Sequence, residues 1–206
     1  EVIKYLEDRN WKIRDMSARA LSILVDESHI DELYLMEDCS VKNQNKLHGH
    51  LLAVENIILS KQKVPQIIVK IKDIVKRLLE KRFEFITLNL SYVTVKAYLE
   101  VMLLVFDNEE FIELIQDHKH EIISIFGNYF INNFYSKANT QNIDGSKELC
   151  VALVLKFLLK YENKVNINSL IQLGLESNLY EVQLESIKYI ETSESVMHYY
   201  ENSTDI

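Results

Sequence analysis

Asn10-Trp-Lys-Ile-Arg-Asp-Met-Ser-Ala-Arg-Ala-Leu21 and, after a polar interval, Asn45-Lys-Leu-His-Gly-His-Leu-Leu52 decide how this 206-residue chain reads. In the first, Ile13, Met16, Ala20 and Leu24 recur at helical spacing with Ser17 and Leu21, while Arg14, Asp15 and Arg19 fall elsewhere around the axis. A helix over residues 10–25 is expected, with Asn10 as N-cap, and a second over 30–37 would complete a helix pair. Such pairs are the unit of a helical-repeat scaffold.

The second stretch sets a glycine inside a helical pattern of Leu47, Leu51, Val54 and Ile58, where it costs on the order of 1 kcal/mol against alanine. Close packing of another backbone or side chain at Gly49 is the expected compensation. A metal site is not expected: His48 and His50 are two residues apart, turned about 200° from each other on a helix, and zinc takes four convergent ligands. Cys39 is the only nearby residue that could join them.

Composition agrees with an all-α fold. Four glycines and one proline are few for this length, and helices need the least such punctuation. The fold class expected is a HEAT/armadillo-like helical-repeat solenoid. The chain opens Glu1-Val-Ile-Lys-Tyr-Leu-Glu7, without an initiator methionine and already in a helical pattern, so residues 1–206 read as a single segment of a longer helical-repeat array. There is no secretion signal at the start, and the apolar runs 101–106 and 151–155 are too short to span a bilayer, so a soluble protein with no membrane partner is expected. Cys39 and Cys150 form no metal or redox motif, which suits a reducing cytosolic or nuclear compartment.

Further along, Pro65 suits the first turn of a helix whose stripe is Ile67, Ile68, Ile71, Ile74, Val75 and Leu78. Residues 83–90 read as a helix or a connection. Tyr92, Val95, Leu99, Met102 and Phe106 restore helical spacing, and Asp107 with Glu110 resembles a capping box opening a helix that buries Phe111, Leu114, Ile115 and Ile122. Residues 136–145 are the clearest polar loop. Helices are expected from Ser146 to about residue 160, from Asn168, and over 178–190. Ile13-Arg14, Ser17-Ala18 and Leu21 match Val182-Gln183, Ser186-Ile187 and Ile190 at one constant offset, as internal repetition requires.

The formal charge of −8 argues against general nucleic-acid binding by the whole chain. Locally the balance reverses: Lys61, Lys63, Lys70, Lys72, Lys76, Arg77, Lys81 and Arg82 face only Asp73 and Glu80, a net +6 across 22 residues. These eight are candidate phosphate-binding residues, and lysine contacts of this kind would hold a nucleic-acid backbone without reading bases. A solvated face of an amphipathic helix is the competing reading. No nucleophile with a base, no paired carboxylates and no phosphate-cradling glycine loop occurs, so no catalytic residue is assigned and no metal is expected.

The segments Trp11–Leu21, Asn45–Leu52 and Asn178-Leu-Tyr-Glu-Val-Gln-Leu-Glu-Ser-Ile187 resemble, in order, blocks in the carboxy-terminal half of the thyroid-adenoma-associated protein family, whose fungal members are non-catalytic subunits of a tRNA 2'-O-methyltransferase. The Asn-x-Leu-His-Gly block is the most specific. Trp11, Arg14, Asn45, Leu47, His48 and Gly49 are the family-motif positions, read as structural. The chain lacks the family's Arg-Arg-Ser-Ala-Gly-Leu-Pro-like block and has Ala53 where a glutamine is usual. The resemblance implies a cytoplasmic, non-catalytic scaffold that binds a small FtsJ-like Rossmann-fold tRNA 2'-O-methyltransferase and helps position tRNA for anticodon-loop methylation at nucleotide 32. It implies no cofactor in this chain, with S-adenosylmethionine bound by the partner. The alternative is a HEAT/armadillo protein-interaction scaffold with no RNA role.

Overall fold

The structure is a computed structural model and describes residues 1–26, 30, 43–61, 64–88, 91–134, 145–161 and 164–203. The expected helix 30–37 beyond Ile30, the loop residues 136–144, Cys39 and Lys63 lie outside the described residues. Every regular element among those described is helical, and the chain is a helical-repeat fold. No helix among the described residues is long and apolar enough to cross a membrane.

Two compact units divide the chain, Glu1–Ile122 and Ile123–Ile206. The first begins with a 3₁₀ turn, Val2–Glu7, followed by helices α1 (Trp11–Leu24), α2 (Gln44–Lys61), α3 (Pro65–Glu80) and α4 (Tyr92–Asp107). A π-helical turn, Glu84–Leu88, joins α3 to α4, and a 3₁₀ turn, Glu109–Phe111, leads into the short α5 (Ile112–Gln116). The unit boundary falls within α6 (Lys119–Asn133), and α7 (Gly145–Tyr161), α8 (Lys164–Glu176) and α9 (Tyr180–Ser203) complete the second unit.

In the first unit α1 packs on α2, α2 on α4, and the amino-terminal turn against both α1 and α2. Local chemistry accounts for the boundaries. Asn10 Oδ1 accepts from the Lys12 amide and caps α1. Pro65 occupies the first turn of α3, whose stripe Ile67, Ile68, Ile71, Ile74, Val75 and Leu78 is buried as expected. Asn108, rather than Asp107, caps the turn before α5, because its side chain accepts from the Glu110 amide while Asp107 is still the last residue of α4. The expected helix beyond it is two helices, with Phe111, Ile115 and Ile122 buried and Leu114 half-buried.

The face of α1 is the main correction. Ile13, Met16 and Leu24, expected to face the core, are exposed, with Met16 69% and Leu24 65% accessible, while Arg14, Ser17, Ala18, Leu21 and Ser22 are buried. Both sets satisfy a helical period, so spacing alone does not choose between them. Small side chains at Ser17, Ala18 and Ser22 admit a close neighbour, and Arg14 finds hydrogen-bond acceptors on that side.

The second unit packs α9 against α7 and α8. Its core includes Phe126 and Phe157, edge to face with centroids 4.6 Å apart, and the Ser177 hydroxyl donates to the Phe134 carbonyl. The last helix extends well past the expected residue 190, and α8 begins before the expected Asn168.

Candidate functional site

The family-motif residues converge on one place in the first unit. The Arg14 guanidinium, 5% exposed, donates from Nε to His48 Nδ1 at 3.1 Å and from Nη1 to Asn45 Oδ1 at 3.1 Å, reaching from α1 to α2. Nη1 also donates to the carbonyls of Asp8 at 2.6 Å and Arg9 at 3.1 Å, tying down the chain that enters α1. Residues three apart on α2 share a face, which is why Asn45 and His48 meet the same guanidinium.

Gly49 completes the arrangement from behind. A Cβ there would lie 1.9 Å from the Leu6 carbonyl oxygen and 2.7 Å from its carbon, so the backbone of the turn Val2–Glu7 occupies the space a side chain would need. The close approach anticipated for this glycine is made by a backbone rather than a side chain, and Leu47 is buried beside it.

The electrostatics follow from burial. With Nδ1 accepting from Arg14, the His48 proton sits on Nε2. Burial, then the positive charges of Arg14 and Lys96, lower His48 from 6.5 to about 4. His50, one residue beyond Gly49, points away, and burial with the charge of Lys46 lowers it to about 4. Neither ring nitrogen of His50 has a hydrogen-bond partner among the described residues. No group of histidine, cysteine and carboxylate side chains among the described residues could hold a metal ion.

Outside this network lies a cleft of about 430 Å³ formed by the amino-terminal ends of α1, α2 and α4, with Arg9, Trp11, Asn45, His48, Ser91 and Thr94 on its walls. Trp11 is 57% exposed there. A second cleft of about 310 Å³ shares Trp11, His48 and Val93 and is lined by Asp15, Glu55, Lys96 and Glu100. Lys96 pairs with Glu100 at 2.5 Å, and Asp15 with Arg19 at 3.1 Å. Glu55 has neither ion pair nor hydrogen bond among the described residues. Burial, then repulsion by Glu100, raises it to about 7. The groove is thus rich in donors at one end and in carboxylates at the other.

The described residues of the basic run have different surroundings. Lys61 donates to the Ile23 carbonyl at 3.3 Å, Lys72 pairs with Glu110 at 3.5 Å, and Arg82 is buried, pairing with Glu121 and donating to the Leu79 carbonyl at 2.5 Å. Lys70 and Arg77 are half-buried, each with interactions of its own. Lys76 and Lys81 are exposed. Asp73 and Glu80 are exposed on the same helix, and the seven described residues of the run are divided among several environments.

Sequence reasoning did not single out Arg9, Glu55, Ser91 or Thr94. His48, Leu52 and Glu55 stand at i, i+4 and i+7, so the shared face of Glu55 was available from spacing. Ser91 and Thr94 reach the cleft only because α4 packs on α2, which no local pattern announces.

No solved structure matches the chain. A family match does exist, and it covers the 57 residues that build the arginine–histidine network. Residues 1–57, which carry Trp11, Arg14, Asn45, Leu47, His48 and Gly49, match the family of C-terminal TPR repeats of Trm732, the fungal tRNA 2'-O-methyltransferase subunit.

Proposed function

We propose that this chain is part of a non-catalytic subunit that binds an FtsJ-like tRNA 2'-O-methyltransferase in the cytoplasm and positions tRNA for methylation at nucleotide 32 of the anticodon loop. The observation that carries the reading is the match of residues 1–57 to the Trm732 C-terminal repeats. Arg14, His48, Asn45 and Gly49 of that segment form one connected network that ends against the Leu6 backbone.

In this reading the chain performs no bond-making step. S-adenosylmethionine and the catalytic groups belong to the partner. The repeat contributes rigidity: fixing catalyst and substrate in register replaces an encounter between mobile partners and is worth several kcal/mol of barrier. Lys76 and Lys81, the exposed cations of the basic run, and Lys70 and Arg77 beside them would contact phosphate without reading sequence.

The test is tRNA 2'-O-methylation by the reconstituted full-length complex, with Lys70, Lys76, Arg77 and Lys81 changed to glutamate, alongside co-purification of the methyltransferase. Lost methylation with the partner retained supports a tRNA contact on this helix. Methylation unchanged in rate and in salt dependence would remove these residues from the proposal. A protein-interaction scaffold with no RNA role is the second reading, favoured by the ion pairs of Lys72 and Arg82 and the net charge of −8. Failure of the chain to associate with either methyltransferase or tRNA would leave that reading in place.

A further inference from the structure

We propose that the cleft between the amino-terminal ends of α1, α2 and α4 binds one unstacked nucleotide of a single-stranded RNA, with the base on Trp11 and the phosphate at Arg9. The assignment rests on the tRNA reading above and locates within it a contact separate from the basic run.

The walls carry hydrogen-bond donors without acceptors. His48 is only 7% exposed, and its Nδ1 is taken by Arg14, so the remaining nitrogen, Nε2, presents an N–H at the cleft with no protein acceptor among the described residues. The Nε2 atom is not sealed from solvent, so a ligand acceptor there takes the place of water. Asn45 is half-buried beside it: its carbonyl oxygen accepts from Arg14, and its NH₂ has no acceptor among the described residues. The Arg9 side chain makes no ion pair among them and is exposed.

Three helix amino-termini meet here, and their dipoles favour a negative group. Ser91, at the start of α4, makes no side-chain cap, its hydroxyl accepting instead from Thr94 at 3.1 Å. A ligand for this site is therefore anionic, rich in acceptors and flat enough to lie on an indole. A nucleotide unit has all three properties, and its size suits a cleft of about 430 Å³. Unpaired RNA bases are recognised by stacking on aromatic side chains and by hydrogen bonds to their edges. A paired base could not turn its face to Trp11. The carboxylates Asp15, Glu55 and Glu100 at the far end of the groove repel phosphate and set its direction toward Arg9.

Trp11 is the chain's single tryptophan, so its fluorescence reports the groove it lines and no other part of the chain. The 206-residue chain is titrated with a short single-stranded oligouridylate, with a duplex RNA and with adenosine 5'-monophosphate, and binding of labelled RNA is followed in parallel by anisotropy. The expected result is quenching by the single strand and not by the duplex. Arg9→Glu and Trp11→Leu, both at exposed positions, then weaken single-strand affinity about tenfold, and tRNA methylation by the full complex falls in both. Circular dichroism identical to the parent confirms that the variants are folded. RNA bound by anisotropy with unchanged Trp11 fluorescence would overturn the cleft assignment while leaving the tRNA reading intact. Quenching by the mononucleotide but not by RNA would assign the cleft to a free nucleotide and overturn the RNA source. Absence of RNA binding, with Trp11→Leu releasing the methyltransferase, would make the cleft a protein contact and overturn the proposal. If RNA binding, methylation and methyltransferase association are all absent in the unmodified protein, the tRNA reading falls with it.

Discussion

Arg14 on α1 and Gln183 on α9 occupy matching positions of the internal repeat, one in each unit, and each does the same first job. Arg14 donates to the carbonyl of Asp8, six residues back, and Gln183 donates to the carbonyl of Ser177, also six residues back, at 2.7 Å. In both copies a long polar side chain folds over its helix start and holds the entering chain, with a buried serine, Ser17 or Ser186, one turn further on. The difference is reach and number of donors. Arginine has five N–H groups in a rigid fork, so while Nη1 is shared among Asp8, Arg9 and Asn45 on α2, Nε separately donates to His48 on α2. Glutamine has two, and both of its contacts are to backbone carbonyls just before its helix, Ser177 in the connection and Leu175 at the end of α8. The same repeat position reaches side chains of α2 where it is arginine and only backbone of the preceding segment where it is glutamine.

The glycines break the comparison most strongly. Gly49→Ala drives a methyl group into the Leu6 carbonyl, and a backbone atom cannot rotate aside. A loss of about 3 kcal/mol in urea unfolding is expected, beyond what alanine's helix preference of ~1 kcal/mol offsets. At Gly174 the nearest obstacle is the Ser186 hydroxyl, which can turn, so Gly174→Ala should lose about 1 kcal/mol or less. Equal losses would mean that the two helix contacts are the same after all.

Arg14→Gln gives the first copy the side chain of the second. It can keep the bond to Asp8 but strands His48 Nδ1 and Asn45 Oδ1, and a loss of about 2 kcal/mol is expected. Gln183→Ala, which removes only the bonds to the preceding backbone, should lose about 1 kcal/mol. Thermal unfolding of the two variants checks the order, and a Gln183→Ala loss exceeding that of Arg14→Gln would reverse it.

The network also has a pH signature. The unfolded chain carries His48 near 6.5 and the native chain near 4, so between these values the unfolded state binds more protons. The stability contributed by neutral His48 is complete above pH 6.5 and is lost as pH falls through about 4. NMR titration should show the His48 ring neutral down to about pH 4, and a value moved upward in Arg14→Gln. An unmoved value would remove Arg14 from the causes of the shift.

Glu55 has the opposite sign and gives the smallest effect. Its native value near 7 exceeds the unfolded 4.5, so the native state binds the extra proton, and stability falls as pH rises through that interval. Glu55→Gln should gain about 1 kcal/mol at pH 8, discounted for partial exposure, and nothing at pH 4. A gain of the same size at both pH values would separate the effect from ionisation.

Much of the helical framework was legible before any coordinates. Asn10 as a cap, Pro65 in a first turn and the stripe from Ile67 to Leu78 are local decisions, settled by a few neighbouring residues. The close approach at Gly49 was legible too, since a glycine inside a helix pattern needs a reason. The buried face of α1 was not, because Ile13, Met16 and Leu24 form as good a period as Arg14, Ser17, Ala18 and Leu21. The surroundings of the basic run were not legible either. Counting charge over residues 61–82 does not show which residues meet Glu110 and Glu121 from other elements.

Helix content, the place of most boundaries and the similarity of residues 1–57 to a known repeat were determined by the sequence, because caps, prolines and apolar periods act within a turn or two of chain. Tertiary structure alone decided that Arg14 is buried and Met16 is not, that a backbone turn rather than a side chain fills the space at Gly49, and that Trp11, His48 and Thr94 wall a single cleft. Those outcomes depend on which helices pack together, and the acceptors, small side chains and helix ends that choose the packing lie tens of residues apart along the chain.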